Sequence, residues 1–259
     1  MSKVAVLVQA DVRVEMCEFS DSVGASAIAV PGEHDVHIWH TLADPEHLDV
    51  RRLQQLLSED ENIRAARFGF EKSRNEFVVS RGMLRLLLGC YLGVSSGCVR
   101  FTYSPHGKPS MVVPLGEFAP SFSISHSDGM VVCAFARDRG VGVDVEKVRR
   151  DFNVEEIAER FFSVAERDAL RGIPVHEKHE AFFRCWTRKE AYIKARGEGL
   201  SHPLHQFDVS LTPKDAAALL ATRPDCIEAA RWLLRDLPVT SGYLAALAVE
   251  AETTPFMPS

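Results

Sequence analysis

Asp144 and Glu146 stand two residues apart in the run Gly140-Val141-Gly142-Val143-Asp144-Val145-Glu146-Lys147. In extended backbone that spacing puts both carboxylates on one face, where they can share a cation or simply line the solvent side of an edge strand. Further along, Cys185-Trp186-Thr187-Arg188-Lys189-Glu190-Ala191-Tyr192-Ile193-Lys194 places Glu190 and Lys194 four apart. Residues so spaced share a helix face, and an ordinary surface ion pair has the same spacing. A third carboxylate beside an Asp-x-Glu suits Mg²⁺, which takes oxygen ligands, keeps several waters and completes its shell from substrate phosphates. Ser123-Ile124-Ser125-His126-Ser127 lacks the Gly-x-Ser-x-Gly elbow of a hydrolase. A short polar Ser-His-Ser segment at a strand end is equally suited to holding a phosphate. Gly107-Lys108-Pro109 aims one Lys from a rigid turn, again compatible with phosphate. The spacings His176-x-x-His179 and His202-x-x-His205 have no Cys or acidic partners in a zinc pattern.

The elements that must carry these groups are legible from periodicity. Residues 1–34 are weakly patterned and are expected to form a peripheral N-terminal extension, and Val36 to His40 alternate as a strand. Helices are expected over Asp49 to Leu57 and Glu76 to Leu92, the second ending at Gly93. Short strands follow at Arg100–Tyr103, Ser121–Ser125, Met130–Ala136 and Val141–Val145. After Asp151 come helical segments through Phe161, over Val164–Leu170 and over Lys178–Arg196, then strands at Phe207–Leu211 and Tyr243–Glu250. The order long helix, then strands, thus occurs twice. A shift of 113 residues lays Gly129 on Gly242 and SDGMVVCAFA on TSGYLAALAV, which hints at an internal duplication. The expected organisation is an extension over 1–34, an α+β half over 35–139, a second over 140–251 and a tail over 252–259.

Composition bounds the function. With 46% hydrophobic and 25% charged residues among 259, the chain has ordinary globular usage. Thirty Lys and Arg against 36 Asp and Glu give a net charge of −6, which disfavours generic nucleic-acid binding. Apolar runs such as Met130–Ala136 fall far short of the roughly 18–20 residues of a membrane span. The run Val4 to Val8 is too short for a signal-peptide core, so a cytoplasmic location is expected. The six Cys show no CxxC pair and read as reduced thiols. Against the acidic whole, Asn62 to Gly116 carries eight basic residues and two acids. Such a segment is a solvated face, or a site for phosphates or an acidic partner.

Taken together, Gly107-Lys108-Pro109, Ser123-Ile124-Ser125-His126-Ser127, Gly142-Val143-Asp144-Val145-Glu146, Arg160-Phe161-Phe162-Ser163-x-x-Glu166 and Trp186-Thr187-x-Lys189-Glu190-Ala191-Tyr192-x-Lys194-x-x-Gly197-x-Gly199-Leu200 resemble the 4′-phosphopantetheinyl transferases of the long, surfactin-synthetase-activating type. The likeness runs from about Val36 to Glu250, and its last motif is the most distinctive. The resemblance implies an α+β pseudodimer of two similar halves with the active site between them, acting as a monomer. It implies transfer of the phosphopantetheine arm of coenzyme A to a Ser of an apo acyl or peptidyl carrier protein, releasing adenosine 3′,5′-bisphosphate. It further implies that Asp144, Glu146 and Glu190 ligate Mg²⁺, that Glu190 is also the base, and that Lys194 contacts the pyrophosphate. Lys108, Ser125 and His126 would hold the adenosine-phosphate end, with Lys189 as a further contributor. Many members place Arg immediately before the Phe of the basic helix, where this chain has Glu76. Arg74 or Arg81 is then expected to reach the 3′-phosphate. Two rivals are a non-catalytic carrier-binding module, which has little reason to hold the three carboxylates together, and a Mg²⁺-dependent phosphohydrolase.

Overall fold

The computed structural model describes residues 4–9, 12–20, 22–23, 28–103, 109–112, 119–197 and 202–251. Among them the chain forms β1 (Val4–Gln9), β2 (Val12–Glu18), β3 (Asp35–Leu42), α1 (Val50–Gln54), α2 (Glu59–Ala66), α3 (Glu71–Leu92), β4 (Phe101–Tyr103), β5 (Pro109–Met111), β6 (Ser121–Ser127) and β7 (Met130–Ala136). These are followed by β8 (Val141–Lys147), α4 (Val154–Phe161), α5 (Val164–Arg171), α6 (Lys178–Arg196), β9 (Phe207–Val209), β10 (Leu219–Thr222), β11 (Trp232–Leu237) and β12 (Tyr243–Glu250). No helix among the described residues is long and apolar enough to cross a membrane.

The repeat hinted at in sequence is a repeat of topology. In the first half β7 pairs antiparallel with both β3 and β6, and the long helix α3 packs on them. In the second, β12 pairs antiparallel with both β8 and β11, and α6 packs on β8 and β12. The strand order β3-β7-β6 is therefore matched by β8-β12-β11, so the protein is an α+β fold of two similarly built halves.

Both sheets are covered on both faces, which is why their central strands read as continuous apolar runs. Val131, Cys133 and Phe135 of β7 join the core under α3, whereas Met130, Val132 and Ala134 face the other half. Likewise Ala246 and Ala248 of β12 lie under α6, and Ala245, Leu247 and Val249 meet the first half's sheet. The shared core between the sheets, with Val36 and Ile38 on one side and Val141, Val143 and Val145 on the other, fixes how the halves sit together.

Within the peripheral extension expected over 1–34, the described residues instead form strands β1 and β2. β2 pairs in parallel with β3 and extends the first sheet to the order β1-β2-β3-β7-β6. Val12, Val14 and Met16 alternate into the shared core. The tail over 252–259 lies outside the described residues.

Candidate active site between the two halves

Strand alternation sorts the chemistry. Val141, Val143 and Val145 of β8 point into the shared core, so Gly142, Asp144 and Glu146 face the other way, toward α6. Gly142 sets the distance: a Cβ there would lie 2.1 Å from Ala191 O and 2.3 Å from Ala195 N, so only glycine lets the helix backbone come this close. That approach brings Lys194 onto Asp144. The Lys194 ammonium donates to Asp144 Oδ1 at 2.6 Å and to Ser125 Oγ at 2.9 Å, and Ser125 Oγ donates to the same Oδ1 at 2.8 Å. Asp144 is buried, with 4% of its surface exposed, and its Oδ2 has no hydrogen-bond partner.

The halves are stitched here by alternate serines of β6. The edge of β8 turned away from β12 would leave backbone N–H groups unsatisfied. Ser123 Oγ accepts from Val143 N at 3.1 Å and Ser127 Oγ from Lys147 N at 3.2 Å. Ser127 also donates to Glu146 Oε2 at 2.7 Å. The period-2 spacing of Ser123, Ser125 and Ser127 was the sequence signal for this; reading the segment as a phosphate loop passed over it.

The other face of β6 carries Phe122 and Ile124 against the core beneath α3. His126, on that side, meets α3: its Nδ1 lies 2.5 Å from Glu76 Oε1. Ser125 and His126, expected to act on one ligand, therefore face opposite ways, because neighbours in a strand alternate. The second oxygen of Glu76 accepts from Gly129 N at 2.8 Å. Asp128 (φ 48°) and Gly129 (φ 101°) form the two-residue turn between β6 and β7, both left-handed, as the primed hairpin turn requires.

The electrostatics follow from crowding. Burial pushes the Glu190 carboxyl up to about 7, with repulsion from Asp144 and Glu146 adding to it and Lys194 opposing. Burial also raises Glu146, together with repulsion from Asp144, against the Ser127 hydrogen bond. Glu76 goes the other way: burial would raise it, but the hydrogen bond and charge of His126, the Gly129 N–H and Lys72 together hold it low. Asp144, Glu146 and Glu190 are hard oxygen donors whose mutual repulsion a divalent cation would relieve, and Asp144 Oδ2 is an unsatisfied buried acceptor. This donor set fits Mg²⁺. Among the described residues no group of three or more His, Cys, Asp or Glu side chains is gathered closely enough to hold a metal ion; a Mg²⁺ here would draw on water and substrate oxygens as well.

Of the four remaining expected coenzyme contacts, two are buried elsewhere, one is on the surface of α3 and one lies outside the described residues. Lys189, with no exposed surface, points into the second half, where its ammonium lies 2.8 Å from Glu166 Oε1 and donates to Leu204 O and Phe207 O. It is a core ion pair rather than a cleft residue, since a buried ammonium needs this full set of partners. Arg81 is buried against Glu61 and Tyr103, with its guanidinium 4.7 Å from the Phe101 ring centroid, and so is not brought to His126. Arg74 is half-exposed on α3, 3.8 Å from Glu71. Lys108 lies outside the described residues.

Asp144, Glu146, Glu190 and Lys194 thus lie at the seam of two repeated α+β halves. Residues 140–248 match the sequence model of the 4′-phosphopantetheinyl transferase superfamily, and residues 43–137 match that of the 4′-phosphopantetheinyl transferase N-terminal region. The 4′-phosphopantetheinyl transferase HetI of Nostoc sp. is 39% identical over 83% of this chain and 87% of its own length. The 4′-phosphopantetheinyl transferase Sfp of Bacillus subtilis is 31% identical over 62% of this chain and 69% of its own. The crystal structure of Thermotoga maritima holo-[acyl-carrier-protein] synthase (AcpS) covers 44% of this chain and 64% of that chain, with 25% identity and a TM-score of 0.35. The chain belongs to the 4′-phosphopantetheinyl transferase family and is an enzyme of the long, Sfp-like class.

Proposed function

We propose that the chain moves the 4′-phosphopantetheine arm of coenzyme A onto a serine hydroxyl of an apo acyl or peptidyl carrier protein and releases adenosine 3′,5′-bisphosphate. The observation that carries this reading is the convergence of Asp144, Glu146, Glu190 and Lys194 at the seam of the halves, with Asp144 Oδ2 a buried acceptor without a partner. A base must sit within hydrogen-bond reach of the proton it takes. Glu190 takes the proton of the carrier serine, directly or through a water. The serine oxygen forms a new O–P bond at the phosphorus next to the pantetheine as the bond from that phosphorus to the bridging oxygen breaks. The electron pair leaves with the bisphosphate.

Asp144, Glu146 and Glu190 would hold Mg²⁺, which supplies charge neutralisation at the pyrophosphate. Lys194, on the same face of α6 as Glu190, donates to a pyrophosphate oxygen and so stabilises the departing charge. His126 binds the phosphate at the adenosine end. Ser125 and Ser127 hold Asp144 and Glu146 in place rather than touching the coenzyme. One chain supplies both halves of the cleft, so a monomer suffices. Its six free cysteines suit a reducing cytoplasm.

The test is the release of adenosine 3′,5′-bisphosphate from coenzyme A and Mg²⁺, followed with and without an apo carrier. Release only with the carrier present supports transfer. Release at the same rate without it would make the protein a phosphohydrolase.

A further inference from the structure

Glu76 stands where its chemistry runs against a phosphate site, yet it touches the one imidazole assigned to the phosphate. It sits on the second turn of α3 with 13% of its side chain exposed. Both of its oxygens are used on the β6–β7 hairpin: Oε1 on His126 Nδ1 at 2.5 Å and Oε2 on Gly129 N at 2.8 Å. One turn earlier on the same helix face, Lys72 pairs with Asp128 at the hairpin tip. From the second half, Tyr243 donates its hydroxyl to Asp128 O at 2.9 Å. The turn that carries His126 is thus held from three sides, and Glu76 alone among these contacts also grips the imidazole.

A carboxylate can only accept, so Nδ1 donates to Glu76; a phosphate also only accepts, so in the coenzyme complex Nε2 donates too and the bridging ring carries both hydrogens. His126 keeps 45% of its side chain exposed, which leaves that edge within reach. As with the carboxylates that orient metal-bound histidines, the second partner fixes ring rotation; here its negative charge also favours the doubly protonated ring that a phosphate requires.

We propose that Glu76 is a positioning residue for His126, setting the ring so that its Nε2 addresses the 3′-phosphate of the coenzyme and thereby favouring coenzyme A over dephospho-coenzyme A. This inference rests on the reading of His126 as a phosphate ligand. It replaces the expectation that Arg74 or Arg81 makes good the charge at this position.

The experiment is calorimetric titration of coenzyme A and of dephospho-coenzyme A into wild type, Glu76→Ala, His126→Ala and the double variant, with the His126 ring nitrogens followed by NMR in wild type and Glu76→Gln. Glu76→Ala is expected to weaken coenzyme A by about tenfold, the scale of one charge-assisted hydrogen bond, while changing dephospho-coenzyme A less than about twofold. In the His126→Ala background the same substitution is expected to add nothing. Equal losses for the two ligands, or a full additional loss in the double variant, would overturn the positioning role while leaving His126 as the ligand. If His126→Ala itself leaves the ratio of the two affinities unchanged, the reading of His126 fails, and the proposal with it. Glu76→Gln keeps the shape and the Gly129 bond, so it reports even if the alanine variant does not fold. Its neutral amide removes the charge facing Nδ1, so the ring-nitrogen resonances of the coenzyme complex are expected to differ from wild type; a ring signature identical to wild type would contradict the proposal.

Discussion

Lys194 Nζ lies 2.6 Å from Asp144 Oδ1, while Asp144 Oδ2, also buried, has no hydrogen-bond partner. One oxygen of the carboxylate is neutralised by the protein and the other is left unsatisfied, an arrangement that costs free energy unless something binds. Asp144→Asn is therefore expected to raise the Mg²⁺ concentration for half-maximal activity by about tenfold, the effect of weakening one ligand by roughly 1.4 kcal/mol. Initial rates across a Mg²⁺ titration check this, and an unchanged midpoint would remove Asp144 from the ligand set.

Glu190→Gln is expected to lower kcat by about 10²-fold or more, the usual worth of a positioned base, while circular dichroism stays native. Stability should move the opposite way. The carboxyl rises from an ordinary 4.5 to about 7 in the folded protein, so between those values the folded state holds a proton that the unfolded chain has shed. Stability is thus lost as pH climbs from about 4.5 to 7, and above 7 the ionised Glu190 is a standing cost. At pH 8 the Gln variant should melt about 2–4 °C higher for each kcal/mol recovered. A lower melting temperature would contradict the burial and repulsion that raise Glu190.

The same carboxyl shapes the pH profile. At limiting Mg²⁺, kcat/KM is expected to rise with pH through a limb near 7 as Glu190 loses its proton. A bound cation favours the carboxylate, so raising Mg²⁺ should move the limb to lower pH. Profiles at two Mg²⁺ concentrations decide the matter; a limb that stays fixed would assign it to another group.

Lys189→Met should be a stability defect. It leaves Glu166, with 2% of its surface exposed, as a buried carboxylate without its cation, at a cost of about 3–5 kcal/mol. Denaturant titration is expected to show the loss, with KM for coenzyme A unchanged in the folded fraction. Normal stability with a raised KM would return Lys189 to the cleft.

Elements with strong local periodicity, the strand Met130–Ala136, the helix Lys178–Arg196 and the strand Tyr243–Glu250, are readable from sequence to the residue. Those that depend on distant partners are not. β2 alternates as Val12-Arg13-Val14-Glu15-Met16, but its place is set by parallel pairing with β3 across a long connection. β11 carries Arg235 and Asp236 in mid-strand, which hides it; Asp236 is there because it answers the fully buried Arg188 at 2.7 Å. The small α2 announces itself by the Ser58-x-x-Glu61 capping box rather than by an apolar stripe. At the candidate site, the shared strand face of Asp144 and Glu146 and the shared helix face of Glu190 and Lys194 follow from spacing that matches the period of the elements that carry them. Lys189 was misplaced because adjacent positions on a helix diverge by about 100°, so the neighbour of Glu190 points into the core. The Glu76–His126 pair joins residues 50 apart in sequence and has no local signature.

The central claim is that the carboxylates of β8 and α6 drive transfer to a carrier protein. Intact-mass spectrometry of an apo carrier, incubated with coenzyme A and Mg²⁺ and either wild type or Glu190→Gln, tests it most directly. The account predicts that wild type adds one phosphopantetheine group to the carrier serine and that the variant, folded and at equal concentration, leaves the carrier mass unchanged over the same interval. An unmodified carrier with the wild-type protein, or equal labelling by the two proteins, would contradict it.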